Sequence, residues 1–489
     1  MNQKLAGWMF AVAIVLLVVA SVVRDNFGTA GWLIALFYFT LISARPDMWW
    51  MIAVASLDSG ITFGLPGVVD LHSLFVFGFI ATAIVKFSVS KRPTIQPSMP
   101  RRACTAFLVV LILTASWRGW GLKILDSATW GGMQYVNLIG ALLFYIYSTY
   151  VTVSLSHLER MLRFLFLTSL IPAAACLLVY FVPSARWIDS VIPLGETTEL
   201  QGAAMEGARW ASMQAPAIWM GVLALLLYDR RLRFSPAVGA VAAFSFVLLG
   251  LSGHRTVAVI LGLTTGTYLI VKRRAVRVVQ FMKLAVIVIA LVAMAYVFVG
   301  NLPRAFQRAL AWLPGIEVTY DARMDASSTS EWRIELWRQL LPMVPDYLWI
   351  GRGLAFRQSD AQSVAALASD QGLQYLFFTA VHLYHSGPLW LLIDLGLAGF
   401  GTALLFIAGG IIHYGRRISR IPDESRWRTA YVVFYSFFVG YCISFFAAFG
   451  SGSTLCQILI LASVLEVIAR SAETEGENRS LQAAEKAKA

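Results

Sequence analysis

Apolar runs of roughly fifteen to twenty-five residues recur along the whole chain, and nothing constrains its folding more. Wound as a helix rising about 1.5 Å per residue, a run of that length crosses the roughly 30 Å hydrocarbon core of a bilayer. Such runs lie at 5–23, 30–44, 47–58, 71–88, 103–119, 132–154, 161–182, 211–228, 235–252, 255–271 and 281–299, and again at 388–412, 429–449 and 453–469. Hydrocarbon offers no partner to backbone polar groups, so runs of this kind pair them internally as helices. The expectation is an all-α polytopic membrane protein with about 12–14 transmembrane helices and one large extracytoplasmic loop bearing short helices. The third run is short enough to be half-buried or re-entrant. Composition agrees, because 489 residues that are 58% hydrophobic and only 13% charged cannot cover a soluble surface.

The charges carry orientation. The net charge of +12 comes from basic residues scattered in short clusters between apolar runs, so nucleic acid is not an expected partner. Four connections hold these clusters: Lys86 to Arg102, Arg230 to Arg233, Lys272 to Lys283, and Arg416 to Arg428. With fourteen spans and a cytoplasmic N-terminus, all four fall on the cytoplasmic side, as the excess of Lys and Arg on that side requires. Both termini are then cytoplasmic, and residues 300–388 face outward. The run after Lys4 is too long for a signal-peptide core and reads as an uncleaved first helix. Cys104, Cys176, Cys442 and Cys456 all fall in apolar runs, which suggests core filler rather than a disulfide framework. The chain divides into N-terminal membrane helices (1–299), the large loop (300–388), C-terminal membrane helices (389–469) and a polar cytoplasmic tail (470–489), read as a frayed helix or disorder.

Residues 300–388 are the longest polar interval. They open with an interfacial helix at Pro303–Leu313 and carry seven arginines, no lysine and eight acids. Guanidinium groups suit bidentate phosphate binding, although the chain as a whole already prefers arginine to lysine. A helix over 331–341 puts Arg333 and Trp337 one turn apart on one face and lets Glu335 pair with Arg338. Trp332 and Trp337 read equally well as interfacial anchors. Gly351-Arg352-Gly353 is a glycine-flanked turn, a weak signal by itself. No Asp-x-Asp pair, zinc helix or nucleophile elbow is present, so no metal site and no cofactor are expected.

His382 and His385 stand where the loop meets the bilayer, three residues apart. Histidine is the side chain best suited to take a proton near neutral pH, but an interfacial histidine is more often structural. Ser252-Gly253-His254-Arg255-Thr256 is a polar turn between two runs on the same side, and Arg209 stands just before another. An arginine at a helix start opposes the helix dipole, so Arg255 either reaches lipid headgroups or is held by an anion.

As an ordered set, these residues resemble a known family. His385-Ser386-Gly387-Pro388-Leu389, continuing to Asp394-Leu395-Gly396 and Gly399, is similar to the His-Asn-x-x-Leu-x-x-Leu-x-Glu-x-Gly-x-x-Gly signature of the O-antigen ligase and polymerase superfamily. Ser386 stands for its Asn and Asp394 for its Glu. The Ser252–Thr256 turn resembles that family's Ser-Gly-Ser-Arg-Thr, and Arg333 to Trp337 with Pro345 and Gly351-x-Gly353 resembles its Arg-x-x-x-Trp, Pro, Gly-x-Gly stretch. Arg209-Trp210-Ala211-Ser212 only approximates a further region, and the first 200 residues match by hydropathy alone.

The resemblance implies a metal-independent, inverting membrane glycosyltransferase of the bacterial inner membrane, with its site facing the periplasm. It would move a glycan from undecaprenyl diphosphate to a hydroxyl of a glycan or lipid A core acceptor, in exopolysaccharide or lipopolysaccharide assembly, beside other polysaccharide-assembly membrane proteins. His385 is then the base. Arg255, Arg333 and Arg209 hold the donor diphosphate, and Trp337, Gly351, Gly353, His382 and Asp394 support them. The alternative is a non-enzymatic lipid-linked oligosaccharide flippase or permease, which should carry its charges along a path inside the spans.

Overall fold

The protein is described by a computed structural model covering residues 45–63, 69–90, 98–121, 129–130, 132–192, 211–231, 235–272, 293, 296–302, 304–311, 315–357, 379, 382–422, 425–447 and 449–488. The expected spans at 5–23 and 30–44, nearly all of 281–299, Arg209, and the loop segment 358–378 lie outside the described residues.

Helices dominate. In chain order they are α1 (Pro46–Ala55), α2 (Leu71–Val89), α3 (Met99–Arg118), α4 (Gly132–Ser148), α5 (Leu155–Phe181), α6 (Gln214–Arg231), α7 (Pro236–Ser252), α8 (Arg255–Val271), α9 (Arg304–Leu310), α10 (Tyr320–Leu340), α11 (Val344–Tyr347), α12 (Gly387–Ile418), α13 (Arg426–Ala447) and α14 (Gly452–Lys488). Among the described residues, six helices are long and apolar enough to cross a membrane: α2, α3, α5, α12, α13 and α14. Three shorter apolar helices, α6 to α8, pack among them. The all-α membrane architecture therefore agrees with the apolar runs. Two two-residue antiparallel ladders trim the loops: Thr62–Phe63 with Val69–Asp70, and Thr129–Trp130 with Phe356–Arg357.

Helix α1 has only 10 residues, about 15 Å of rise, which is half a bilayer. The third apolar run is thus the short one. Helix starts follow ordinary capping chemistry: the Asp70 carboxylate accepts from the Ser73 amide at 2.6 Å, and Ser154 and Ser235 cap α5 and α7 in the same way. The tail continues α14 as helix to Lys488. Its start is tied down, because Ser471 accepts from the Val153 amide at 2.9 Å and Arg470 donates to the Thr149 carbonyl.

Helix α13 is nearly all buried and is the central post, packed on α8, α14, α12 and α6. Helix α12 lies along α3, and α14 along α4. The α7–α8 turn, the α3–α4 connection, the start of α12 and the long loop all gather at one end of the bundle, joined by Arg255 to Ala326, Arg118 to Gly351 and Tyr135 to Leu354. Described members of the basic clusters lie at the other end, with Arg417 bonded to Glu466 and Glu473, and Lys272 to Asp229.

Candidate active site at the loop end

Helix α12 has a break that organises the site. Gly396 sits at φ 68, ψ −172 inside the 32-residue helix, a conformation open to glycine because it lacks a Cβ. In an unbroken helix the Ile393 carbonyl would accept from the Leu397 amide and Asp394 from residue 398. Instead Arg352 N donates to the Ile393 carbonyl at 2.7 Å, Gly353 N to the Asp394 carbonyl at 2.9 Å, and Leu397 N to the Leu348 carbonyl at 2.7 Å. Each such group left unpaired in a buried position would cost about 1–3 kcal/mol, so the loop segment 348–353 replaces the missing helical partners.

The Gly-Arg-Gly turn is therefore a clamp on a broken helix. A Cβ on Gly351 would lie 2.1 Å from the Asp394 carbonyl oxygen, and one on Gly353, at φ 84, 2.7 Å from Arg118 Cβ. The far side of the clamp comes from the N-terminal helices. Arg118 donates to the Gly351 and Ile350 carbonyls at 2.8 and 3.1 Å, and the Tyr135 hydroxyl accepts from Leu354 N at 2.8 Å. Sequence reasoning missed Arg118 and Tyr135, since their partners are more than two hundred residues away and no local motif marks them.

Above the break, the turn at 382–386 holds both histidines at positive φ, 61 for His382 and 52 for His385. They are the two non-glycine residues with positive φ among those described. A left-handed conformation costs a side chain with a Cβ roughly 1–2 kcal/mol, so the surroundings must hold each of them. His382 is fully buried, with Nδ1 2.9 Å from Asp394 Oδ1, which also accepts from the Tyr384 hydroxyl at 2.9 Å. Arg352 reaches the same ring at 3.0 Å and the Thr379 carbonyl at 2.7 Å. His382 and Asp394 thus form one buried network behind the turn. His382, outside the matched signature, is bonded directly to a residue inside it.

His385 points the other way. Its ring packs edge-on to Trp332 with centroids 5.3 Å apart and tilts against Phe449 at 4.9 Å. Arg333 lies over the same Phe449 ring, 6.0 Å from its centroid. Burial first, and the positive charge of Arg333 second, push the His385 imidazole down to about 4. It is neutral at physiological pH and has a lone pair to offer. Trp337 fixes the relation between loop and turn, because its indole N–H donates to the Tyr384 carbonyl at 2.9 Å.

Helix α10 spans the expected 331–341 helix and starts eleven residues earlier, and Glu335 and Arg338 pair on its exposed side at 3.4 Å. Arg255 donates to the Ala326 carbonyl of the same helix at 2.7 Å. Ala326 and Arg333 are two turns apart on one face, about 10.5 Å along the axis. Three chain segments, the α7–α8 turn, α10 and the 382–386 turn, thus bring Arg255, Arg333 and His385 to one end of the molecule. Among the described residues, no group of three His, Cys, Asp or Glu side chains is arranged to hold a metal ion.

Residues 240–404 match the model of the O-antigen ligase family. This stretch, about a third of the chain, is similar to the O-antigen ligase family. That match begins inside α7 and ends inside α12, so the matched region holds Arg255, Arg333, Gly351, Gly353, His385, Asp394 and Gly396, whereas Arg118 and Tyr135 come from helices ahead of it. A comparison with curated proteins gives no match. N-terminal helices thus clamp the Gly-Arg-Gly turn of the matched region.

Proposed function

We propose that the protein is a metal-independent, inverting glycosyltransferase that moves a glycan from undecaprenyl diphosphate to an acceptor hydroxyl. The observation that carries this reading is the neutral His385 beside Arg333 in a strained turn at the loop end. An acceptor hydroxyl attacks the anomeric carbon while its proton passes to an imidazole nitrogen of His385. The bond from that carbon to the diphosphate oxygen breaks on the opposite face, and undecaprenyl diphosphate leaves with the electron pair. Negative charge grows on the leaving oxygens, and guanidinium groups held in place before the reaction stabilise it there. Arg333 and Arg255 take that role. Donation of the neutral imidazole's lone pair is favoured further once the donor's negative charge offsets Arg333.

The loop end is assigned to the periplasmic face of the inner membrane and the basic end to the cytoplasm. In right-side-out vesicles, a cysteine at exposed Tyr320 should react with an impermeant maleimide and one at Glu485 should not; the reverse pattern would invert the site.

Purified protein in liposomes, given lipid-linked oligosaccharide and an acceptor, should form a new glycosidic bond and release undecaprenyl diphosphate. The yield should be unchanged by EDTA. Movement of the lipid between leaflets with no new bond would favour a flippase instead, and loss in EDTA with recovery on adding magnesium would reject metal independence.

A further inference from the structure

Below the 382–386 turn two cavities lie side by side, of about 310 and 530 Å³, within the range typical of ligand sites. His382 and Trp390 border the first, and Thr256 and Phe449 the second. Leu57, Asp70, His72, Ser453 and Gln457 line both, so the pair shares one wall. Phe449 connects them to the chemistry, since its ring touches His385 and lies under Arg333.

The lining has a definite chemical character. Among the described residues, neither cavity is lined by an arginine or a lysine. Carboxylates and amides take their place: Asp58 and Gln457 in the larger, Asn137 and Gln134 in the smaller. Indole and phenol rings, Trp219 and Tyr441, stand beside them. Carboxylate and amide oxygens accept from hydroxyls, amide N–H groups donate to them, and aromatic faces cover the apolar side of a sugar ring. A phosphate would meet repulsion from Asp58 and Asp70, with no arginine or lysine among the described lining residues to offset it.

Several of these groups are already oriented. The Trp219 indole N–H donates to the Asp58 carboxylate, and Asp70 is fixed as the cap of α2. His72 Nδ1 lies 2.7 Å from the Ala53 carbonyl, which can only accept, so Nδ1 carries the proton and Nε2 of the neutral ring is an acceptor. More than half of the lining comes from ahead of the matched region, chiefly from residues 56–60, α2, α4 and α6, and α14 supplies much of the rest.

We propose that these adjacent cavities bind the acceptor as a neutral, hydroxyl-rich glycan end, next to His385 and Phe449. The proposal rests on the transferase reading for the word acceptor, and on the lining alone for the ligand class. The site would then be divided by charge, with the anionic donor against guanidinium groups and the neutral glycan against carboxylates and amides. His385 stands at the division, where the acceptor hydroxyl must lose its proton.

The test uses the full chain in detergent and neutral oligosaccharides prepared by mild acid cleavage of the source cells' surface polysaccharide. Saturation-transfer NMR should show these oligosaccharides binding both the parent protein and His385→Ala, with no competition from inorganic diphosphate. Asp58→Asn keeps an acceptor for Trp219, and Gln457→Ala lies on a different helix. Each should abolish the NMR signal and raise the acceptor KM about tenfold or more, with the donor KM unchanged.

Competition by diphosphate, a rise in donor KM alone, or full acceptor binding in both variants would overturn the proposal while leaving the transferase intact. Cavity-dependent oligosaccharide binding with no transfer to any acceptor would instead overturn the transferase reading and keep the glycan site.

Discussion

The two ends of the bundle use arginine differently. At the basic end, Arg417 donates to Glu466 at 2.7 Å and to Glu473 at 3.0 Å, and Lys272 meets Asp229 at 2.7 Å with Tyr268 on the same carboxylate. At the loop end the guanidinium groups of Arg118, Arg255 and Arg323 bond backbone carbonyls, as Arg470 also does at the other end, and the ion pair of Arg338 with Glu335 is exposed within one helix. A carboxylate both orients a guanidinium and neutralises it, whereas a carbonyl only orients it. The ion pairs of the basic end join separate helices, and the carbonyl bonds of the loop end fix guanidinium groups in place. Strain follows the same division, since both non-glycine residues at positive φ among those described lie at the loop end.

The largest effect expected from breaking this contrast is at His385. His385→Ala should lower turnover about 10²–10⁴-fold while donor binding stays nearly intact, because a general base acts in the transition state. Single-turnover transfer with donor affinity measured separately would show it. His382→Ala is the comparison to run beside it. From the sequence it should cost far less, but His382 is bonded to Asp394 in the buried network. A loss of folded protein in His382→Ala, with normal folding in His385→Ala, would separate the network that holds the turn from the base it presents. An active His385→Ala beside a folded but dead His382→Ala would move the chemistry three residues upstream.

At the other end, Glu466→Ala should cost about 3 kcal/mol in denaturant titration, because it leaves Arg417 partly buried with only the more exposed Glu473. The double variant Arg417→Met, Glu466→Leu should recover most of that loss. Full stability with lost transfer in Glu466→Ala would mean that the basic end is functional and that the contrast is drawn wrongly.

The smallest and most specific effect concerns Arg333. His385 must be neutral to accept a proton, and its pKa lies below the ordinary value, so activity is present above about 4 and lost as pH falls through it. Transfer should therefore be flat between roughly pH 5 and 8 on the acid side. Arg333→Gln removes the second cause of that depression, so the acid limb should move up toward the unperturbed histidine value of about 6.5, with burial still holding it below. Donor affinity should fall in the same variant, and Arg333→Lys should restore it only in part, because an ammonium lacks the planar fork. An acid limb that stays in place would remove Arg333 from the surroundings of His385.

Much of this could be read along the chain. Apolar runs predicted helices at nearly the observed bounds, as at 71–88 against Leu71–Val89 and 255–271 against Arg255–Val271. They did so because a bilayer allows few alternatives to a helix. The 331–341 helix, the Glu335–Arg338 pair and the order of the motifs were also visible, all being local in sequence.

What the sequence determined by itself is the class of molecule, an all-α membrane protein, and the ordered motifs that fall in the region similar to the O-antigen ligase family. Hydropathy, charge and short motifs encode these, and each acts over a few residues. Only the tertiary structure decided that Gly351 and Gly353 clamp the break at Gly396, that Arg118 and Tyr135 complete the clamp, and that Asp58, His72 and Asn137 line cavities beside His385. In each case the partners are far apart in the chain. A glycine pair in a loop has no meaning until the helix whose carbonyls it satisfies lies against it, and packing, not pattern, brings the two together.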